Sequence, residues 1–326
     1  MTLDYLLKKE QIALPSQRRS WNQSILVKKA KENNLKNVTV EFPLGVMTVV
    51  TGVSGSGKST LIKKILYPSL GKILGLNTGA TGKFDGLDGD YKKVNHIEFI
   101  DQNPIGKSSR SNPVTYVKAY DHIRLLFSEQ PSSKKNQFKP AFFSFNVVGG
   151  RCDTCEGEGT VKIEMQFMAD LLLPCETCEG QRFKKEILEV RYQNKNINEI
   201  LNLTVSEALI FFSDKKNICD KIKPLDDVGL GYVKLGQSSS SLSGGEAQRV
   251  KLASFLSKKG GNKNDHTLFL FDEPTTGLHF HDIEKLLNSI NALINEKNSA
   301  VLIEHLSLIH ISEPTRQAEI SYAVFC

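Results

Sequence analysis

The stretch GVSGSGKS at residues 52–59 decides how the rest of this 326-residue sequence is interpreted. It matches the pattern GxxxxGK[ST] and lies between a β-branched run, Val46 to Val50, and a run typical of a helix, Leu61 to Leu66. A strand, a glycine-rich loop and a helix in this order predict the opening of an α/β nucleotide-binding fold. A glycine-rich surface turn is the alternative, and the flanking strand and helix disfavour it.

Phosphate chemistry explains why this loop needs these residue types. Glycines let successive backbone N–H groups curl around phosphate oxygens, and the dipole of the following helix adds to the attraction. We expect Lys58 to reach the outer phosphates and the Ser59 hydroxyl to bind Mg²⁺. The predicted nucleotide-binding residues of the loop are Gly52, Ser54, Gly55, Ser56, Gly57, Lys58, Ser59 and Thr60.

A second motif, LFLFDE at residues 268–273, places two carboxylates at the end of an apolar strand. Asp272 suits the Mg²⁺ shell of a P-loop enzyme. Glu273 is the predicted catalytic base that polarises the attacking water. A strand that ends in a solvated acidic turn is the alternative, and the presence of the P-loop disfavours it.

A third motif, LSGGE at residues 242–246, forms a second phosphate-facing turn before a helix that we predict to be long and amphipathic. It resembles the signature motif of ABC-type ATPases, in which this turn closes over ATP held by an opposite lobe. The resemblance makes Ser243, Gly244, Gly245 and Glu246 nucleotide-binding candidates. It also makes Gln102 and His305 catalytic candidates, as the Q-loop glutamine and the switch histidine. A polar residue at a strand end is the alternative for His305.

Four of the six cysteines form two close pairs, Cys152/Cys155 and Cys175/Cys178, about twenty residues apart. This spacing predicts a structural zinc site of four thiolates, with redox cysteines or chance pairing as alternatives. Nearby basic residues could contact nucleic-acid phosphates, although a solvated charged face is the other interpretation. These are Lys162, Arg182, Lys184 and Lys185.

Composition limits the protein class only broadly. The formal net charge of +6 fits a polyanion-binding surface without establishing one. The sequence has neither an apolar run long enough for a bilayer nor an N-terminal signal pattern, so we expect a cytoplasmic protein with no membrane contact. We predict an ATPase core at residues 1–79 and 226–305, interrupted at 80–225 by a signature and insertion domain that carries the cysteines.

Hydrophobic patterns predict further elements along the chain. Residues Val38 to Val50 should form two strands joined at Pro43–Gly45. The other predicted strands are Ile97 to Ile100, Thr267 to Phe271 and Ala300 to Ile303. The other predicted helices are Val114 to Phe127, Leu201 to Phe212 with Thr204 as a cap, and Asp282 to Ile294.

Longer strings of sequence resemble the C-terminal half of the UvrA family, the A subunits of excinuclease ABC. They are ENNLK at 32–36, FPLG at 42–45, DQNPIG at 101–106, RSNP at 110–113, GGRC at 149–152 and EPTTGLH at 273–279. The resemblance covers roughly residues 5–305 and implies an ABC-type P-loop ATPase with a zinc-binding α+β insertion.

The same resemblance implies a function and its partners. The complete protein would bind double-stranded DNA as a homodimer, use ATP, Mg²⁺ and Zn²⁺, recognise DNA damage in nucleotide excision repair and the SOS response, and load UvrB. In the family each ATP is clamped between two ATPase halves, so Lys58 and Ser243 should not act on one ATP. The UvrB surface lies mainly in the first half, which this sequence does not contain.

Three alternatives remain. The chain could be a UvrA-like paralogue for drug resistance or export, or an inert DNA-binding fragment; a transporter ATPase is disfavoured by the cysteines. Residues 306–326 include LSLIHISEPTR, which resembles a translated sequencing adaptor. We therefore expect a non-native tail there, and His310 is not taken as the switch histidine.

Overall fold

A computed structural model describes residues 19–106, 110–165, 171–257, 265–278 and 280–305, with the side chain of residue 280 excepted. The chain divides into a core unit, residues 1–102 with 258–326, and an inserted unit, residues 103–257. The boundaries expected from the sequence after residues 79, 225 and 305 stay predictions. The adaptor-like tail lies outside the described residues.

Two sheets form the core unit and one hairpin lies in the inserted unit. Strands β3, β9, β8 and β5 make a parallel sheet in that order, β2, β1 and β4 an antiparallel one, and β6 and β7 the hairpin. The strands are β1 (Ser24–Ala30), β2 (Val38–Pro43), β3 (Met47–Thr51), β4 (Gly86–Gly89), β5 (His96–Ile100), β6 (Thr160–Ile163), β7 (Leu171–Pro174), β8 (Thr267–Asp272) and β9 (Ser299–Glu304).

Helices connect strands of the core unit, and several short helices lie along the described residues of the inserted unit. They are α1 (Thr60–Leu66), α2 (Tyr67–Ile73), α3 (Pro113–Tyr116), α4 (Ala119–Ser128), α5 (Pro131–Lys135), α6 (Lys185–Leu188), α7 (Ile197–Leu201), α8 (Val205–Phe211), α9 (Lys216–Asp227), α10 (Gly244–Leu256) and α11 (Phe280–Asn295). Helix α1 is wound as a π-helix, and α2 continues directly from it. None of the described helices is both long and apolar enough to cross a membrane.

The core unit is built around its parallel sheet. Every residue of β9 is buried, as expected for a central strand covered on both faces. The buried core joins the two sheets and α1 through side chains such as Val27, Phe42, Ile62, Leu270 and Val301. The predicted strands in β5, β8 and β9 are therefore confirmed, and each extends one or two residues further.

The alternating, β-branched stretch Val38 to Val50 supplies strands to both sheets. The prediction of two strands joined at Pro43–Gly45 is confirmed by β2 and β3, and Gly45 makes the turn at a φ of 74°. The two strands belong to different sheets, so this turn carries the chain from the antiparallel sheet to the parallel one.

Two helices predicted in the inserted unit are interrupted, for local reasons. The run Val114 to Phe127 divides into α3 and α4 because Lys118 adopts a left-handed φ of 61°. The run Leu201 to Phe212 is helical only from Val205 to Phe211: Leu201 is the last residue of α7, and Thr204 caps α8 by accepting from the Glu207 N–H, as predicted. The prediction for α11 is confirmed.

Helix α10 differs from its amphipathic prediction. Four consecutive residues, 247–250, are buried, including Gln248 and Arg249. Successive side chains on an α-helix are separated by about 100°, so four in a row cover the whole circumference. The Arg249 guanidinium is satisfied by the carbonyls of Val228 and Gly229, at 3.4 and 3.2 Å. Burial on all sides is therefore compatible with a polar sequence.

Candidate nucleotide site, signature turn and cysteine cluster

The carboxyl ends of the parallel strands gather several predicted residues at one edge of the sheet. The P-loop follows β3, Gln102 follows β5, Asp272 ends β8 with Glu273 directly after it, and His305 follows β9. In open α/β sheets this edge is where ligands bind. The fold thus brings the core-unit candidates together, and their roles stay predictions.

Glycines shape the P-loop, as the motif requires. Gly55 and Gly57 have φ values of 79° and 101°, which side chains with a β-carbon rarely adopt. A β-carbon added to Gly57 would also lie 2.8 Å from Leu35 Cδ2. Outside the loop, the Asn34 amide donates to the Gly55 carbonyl at 2.6 Å. The loop is therefore held in a conformation in which larger residues would be strained.

The Lys58 side chain is buried against the backbone of its own P-loop. It is 4% exposed, and its Nζ donates to the carbonyls of Gly52 and Val53 at 2.7 and 2.9 Å. The same Nζ lies 3.4 Å from His305 Nδ1. Burial lowers the pKa of Lys58, and the Glu273 carboxylate opposes that change. The loop carbonyls thus bind the Lys58 ammonium, the group that the motif predicts to contact the outer phosphates.

Glu273 contacts both of the other catalytic candidates. Its Oε1 lies 3.0 Å from His305 Nε2, and its carbonyl accepts from the Gln102 side chain at 3.3 Å. Its backbone has a left-handed φ of 48°, a conformation that costs a non-glycine residue about 1 kcal/mol or more. Because neighbouring contacts hold this turn, the carboxylate has a defined place beside His305.

Two oxygen donors proposed for Mg²⁺ have the required chemistry. Ser59 is exposed at the start of α1, and Asp272 ends β8. Hydroxyl and carboxylate oxygens are ligands that Mg²⁺ accepts. The Asp272 Oδ2 contacts Lys63 Nζ at 2.5 Å, and Lys63 also lies over the Phe99 ring. The donor set fits the ion, and Lys63 is the cation that contacts Asp272 in this structure.

Sequence reasoning missed two residues of this site. Lys63 gives no distinctive signal, because a lysine on an exposed helix face is ordinary. Glu304 offered a signal: it is a carboxylate at the end of an otherwise apolar strand, directly before His305, and it is 1% exposed. A buried carboxylate in that place needs hydrogen-bond partners and so indicates a role.

The signature turn lies in the inserted unit. Ser243 caps α10: its hydroxyl accepts from the Glu246 N–H at 3.3 Å, and the Glu246 carboxylate accepts from the Ser243 N–H at 2.7 Å. The Tyr232 hydroxyl donates to Glu246 Oε1 at 2.7 Å. Burial opposes ionisation of Glu246, but these bonds outweigh it and lower its pKa. Glu246 therefore holds the turn that presents Gly244 and Gly245 at the helix start.

The four paired cysteines form one buried cluster. Their Sγ atoms all lie within 4.8 Å of one another, with 3.9 Å between Cys152 and Cys175 and 3.6 Å between Cys155 and Cys178. A tetrahedral zinc with Zn–S bonds of about 2.3 Å requires S–S separations of about 3.8 Å. The cluster therefore fits one Zn²⁺.

Two matching turns build this cluster. Glu156–Gly157 and Glu179–Gly180 have left-handed φ values of 48° and 85°, and of 50° and 80°. A β-carbon on Gly157 would lie 2.1 Å from the Phe145 carbonyl oxygen, so the close approach requires glycine.

The thiols differ in how readily they ionise. Burial opposes ionisation of Cys175, but N–H groups of Cys178 and Thr177 outweigh it and lower its pKa to about 7. Burial raises the pKa of Cys178 to about 12. Burial and local hydrogen bonds therefore make these thiols unequal in how readily they ionise.

Several of the predicted phosphate-contacting residues already have protein contacts. Lys184 pairs with Asp153 at 2.8 Å, and Lys162 with Glu164 at 3.4 Å. Arg182 lies over the Phe145 ring, and burial lowers its pKa. The two lysine pairs are exposed and weak, so these lysines stay candidates for DNA phosphates.

Comparison with known proteins gives a consistent family. No family model matches the chain. The chain is 52% identical to UvrABC system protein A from Clostridium perfringens and 53% identical to that of Clostridium tetani, in each case over 94% of this chain and 32% of the relative.

A solved structure agrees with these relatives. UvrA2 from Deinococcus radiodurans has a TM-score of 0.84 and 42% identity over 94% of this chain and 36% of that one. The predicted fold class, an α/β ATPase core with a four-cysteine insertion, is confirmed. The chain is therefore a UvrA-family segment that spans about one third of the length of these relatives.

Proposed function

We propose that the chain is the ATP-hydrolysing, zinc-containing part of a DNA-binding protein that recognises damage in nucleotide excision repair and loads UvrB. The observation that carries the proposal is the group formed by Lys58, Glu273 and His305 at the carboxyl edge of the sheet. It occurs in a chain about half identical to UvrABC system protein A.

ATP binding would use the P-loop as it is folded. The Lys58 ammonium has three donors, and two now contact the loop carbonyls of Gly52 and Val53. When ATP enters, phosphate oxygens would accept from Lys58 and from the loop N–H groups. Ser59 and Asp272 would hold Mg²⁺, which supplies charge neutralisation between the phosphates.

Hydrolysis would follow from the group around Glu273. Its carboxylate would polarise the attacking water, because an ionised carboxylate accepts a proton as the nucleophile forms. His305 and Gln102 each contact Glu273 and would respond to the γ-phosphate. These contacts connect the state of the nucleotide to the turn that follows β8.

The signature turn would serve a different nucleotide. By family resemblance, Ser243, Gly244 and Gly245 close over ATP bound by another ATPase half, as in a homodimer of the full-length protein. The Ser243–Glu246 capping box presets that helix start. We further propose a cytoplasmic protein that contacts duplex DNA through phosphates and shape, because lesions vary in chemistry.

The experiment is DNA binding by the full-length protein that contains this chain. Duplexes with and without one bulky adduct are titrated at fixed salt with ATP and Mg²⁺, because salt controls affinity for DNA. We expect a preference for the adduct that Lys58→Ala abolishes, since ATP could no longer drive discrimination. Lys64→Ala is the matched control, an exposed lysine on α1, the helix that follows the P-loop.

Each alternative has its own outcome. Equal binding to both duplexes with intact ATP turnover would favour a paralogue with another task. DNA binding without any Mg²⁺-dependent ATP turnover would favour a non-enzymatic DNA-binding module. Either result would contradict the proposed damage-sensing ATPase.

A further inference from the structure

We propose that Glu304 is a positioning residue for ATP hydrolysis, because its carboxylate joins the turn after Glu273 to the backbone of His305. This inference rests on the proposed ATPase function. The hydrogen bonds of the Glu304 side chain go to Thr275 and to the His305 N–H, and not to the P-loop or the Glu273 carboxylate. Its effect on catalysis would therefore be indirect.

The contacts of Glu304 occupy both of its carboxylate oxygens. Its Oε1 accepts from the Thr275 N–H at 2.9 Å and from the Thr275 hydroxyl at 2.8 Å. Its Oε2 accepts from the His305 N–H at 3.3 Å. Glu304 and Thr275 are each 1% exposed, so water does not compete for these bonds. Hydrogen bonds in such surroundings hold geometry firmly.

These bonds fix the turn that carries Glu273. At its start, the Glu273 N–H donates to the Ile303 carbonyl of β9 at 2.9 Å. Two residues later, Thr275 is held by Glu304, which ends the same strand. Strand β9 therefore anchors the turn on both sides of Pro274. Without the second anchor, the left-handed backbone of Glu273 would be free to relax.

The same carboxylate also orients the second catalytic candidate. His305 directly follows Glu304, and its N–H is bonded to Oε2. Its ring lies between Glu273 Oε1 at 3.0 Å and Lys58 Nζ at 3.4 Å. One buried group thus sets the backbone of both partners in the Glu273–His305 contact.

A carboxylate is unexpected among the buried apolar residues of β9. The other β9 residues after Ser299 are Ala300, Val301, Leu302 and Ile303, all buried and apolar. Burial raises the pKa of Glu304, and the Glu273 charge adds to this, so ionisation is disfavoured at this position. An apolar residue would avoid that penalty but could not hold Thr275.

The test compares Glu304→Ala and Glu304→Gln with wild type in the full-length protein, by steady-state ATP hydrolysis. We expect Glu304→Ala to lower kcat about 100-fold, as small displacements of catalytic groups do, with KM for ATP changed less than about threefold. Glu304→Gln should recover part of kcat, because its amide oxygen still accepts from Thr275. Glu296→Ala, at an exposed glutamate after α11, should leave both constants unchanged.

A second variant, Thr275→Val, tests the inference if Glu304→Ala does not fold. Thr275→Val removes only the hydroxyl that donates to Oε1, and we expect a smaller loss of kcat, again with little change in KM. Wild-type kcat in both Glu304→Ala and Thr275→Val would overturn the inference, as would losses that match the fraction of unfolded protein. A wild-type protein without ATP turnover would instead contradict the proposed function and this inference with it.

Discussion

At the residue scale, a contact between His266 and Ser299 lies at the end of the parallel sheet away from the P-loop. At the amino end of β8, away from the P-loop, His266 Nε2 lies 2.8 Å from the Ser299 hydroxyl, which also accepts from the Gly45 N–H at 2.7 Å. Since that hydroxyl oxygen already accepts a bond, its own hydrogen is available to the imidazole. The geometry favours a neutral His266, and burial lowers its pKa accordingly.

We predict that His266 makes the core unit less stable in mild acid. The folded pKa is depressed, so below the ordinary pKa of about 6.5 the unfolded chain binds the proton more readily, and stability falls with falling pH. His266→Gln should therefore lose less unfolding free energy between pH 7.5 and pH 5.5 than wild type does. Urea unfolding at both pH values measures this; parallel losses in the two proteins would refute the prediction.

Elements of the fold differ in what stabilises them. The β6–β7 hairpin exposes apolar side chains, among them Ile163 at 42% and Leu172 at 61%, so it has little core of its own. Its base is joined to the cysteine cluster, where the Cys175 N–H donates to the Gly159 carbonyl at 2.9 Å. A structural metal can supply the folding free energy that such a small element lacks.

We predict that zinc protects this element. The full-length protein should carry zinc that Cys175→Ser loses from this cluster, whereas Cys219→Ser should leave zinc content unchanged, because Cys219 lies outside the cluster. Chelation should expose the cluster thiols to an alkylating reagent and the hairpin to protease. Zinc content unaltered by Cys175→Ser, or thiols equally reactive before and after chelation, would contradict the assignment.

At the level of strands and helices, only part of the structure follows from the sequence. Strands β8 and β9 follow from short apolar runs, because such runs are typical of strands buried on both faces. The edge strand β5 is only partly buried, and its prediction rests on fewer apolar residues. The break between α3 and α4 depends on the left-handed conformation of Lys118, which residue type alone does not indicate. The motif residues of the site can be predicted because each motif carries its chemistry in neighbouring positions. Glu304 can be singled out as a carboxylate that ends an apolar strand, but its contact with Thr275, 29 positions away, comes only from the structure.

At the scale of the whole molecule, the chain combines a core unit and an inserted unit within about one third of the length of its relatives. The P-loop, Glu273 and His305 belong to the core unit, and the signature turn and cysteine cluster belong to the inserted unit. The central claim concerns the core unit: the group of Lys58, Glu273 and His305 hydrolyses ATP. The proposed ATP-dependent discrimination of damaged DNA and the positioning role of Glu304 both depend on that reaction.

The most direct test of this claim measures ATP binding and Mg²⁺-dependent ATP turnover in the full-length protein and in Glu273→Gln. The glutamine keeps the size of the side chain and removes the carboxylate that would polarise water. We predict that Glu273→Gln binds ATP as wild type does and loses at least tenfold in turnover. Turnover within twofold of wild type, with the variant folded, would contradict the claim and remove Glu273 from the catalytic role.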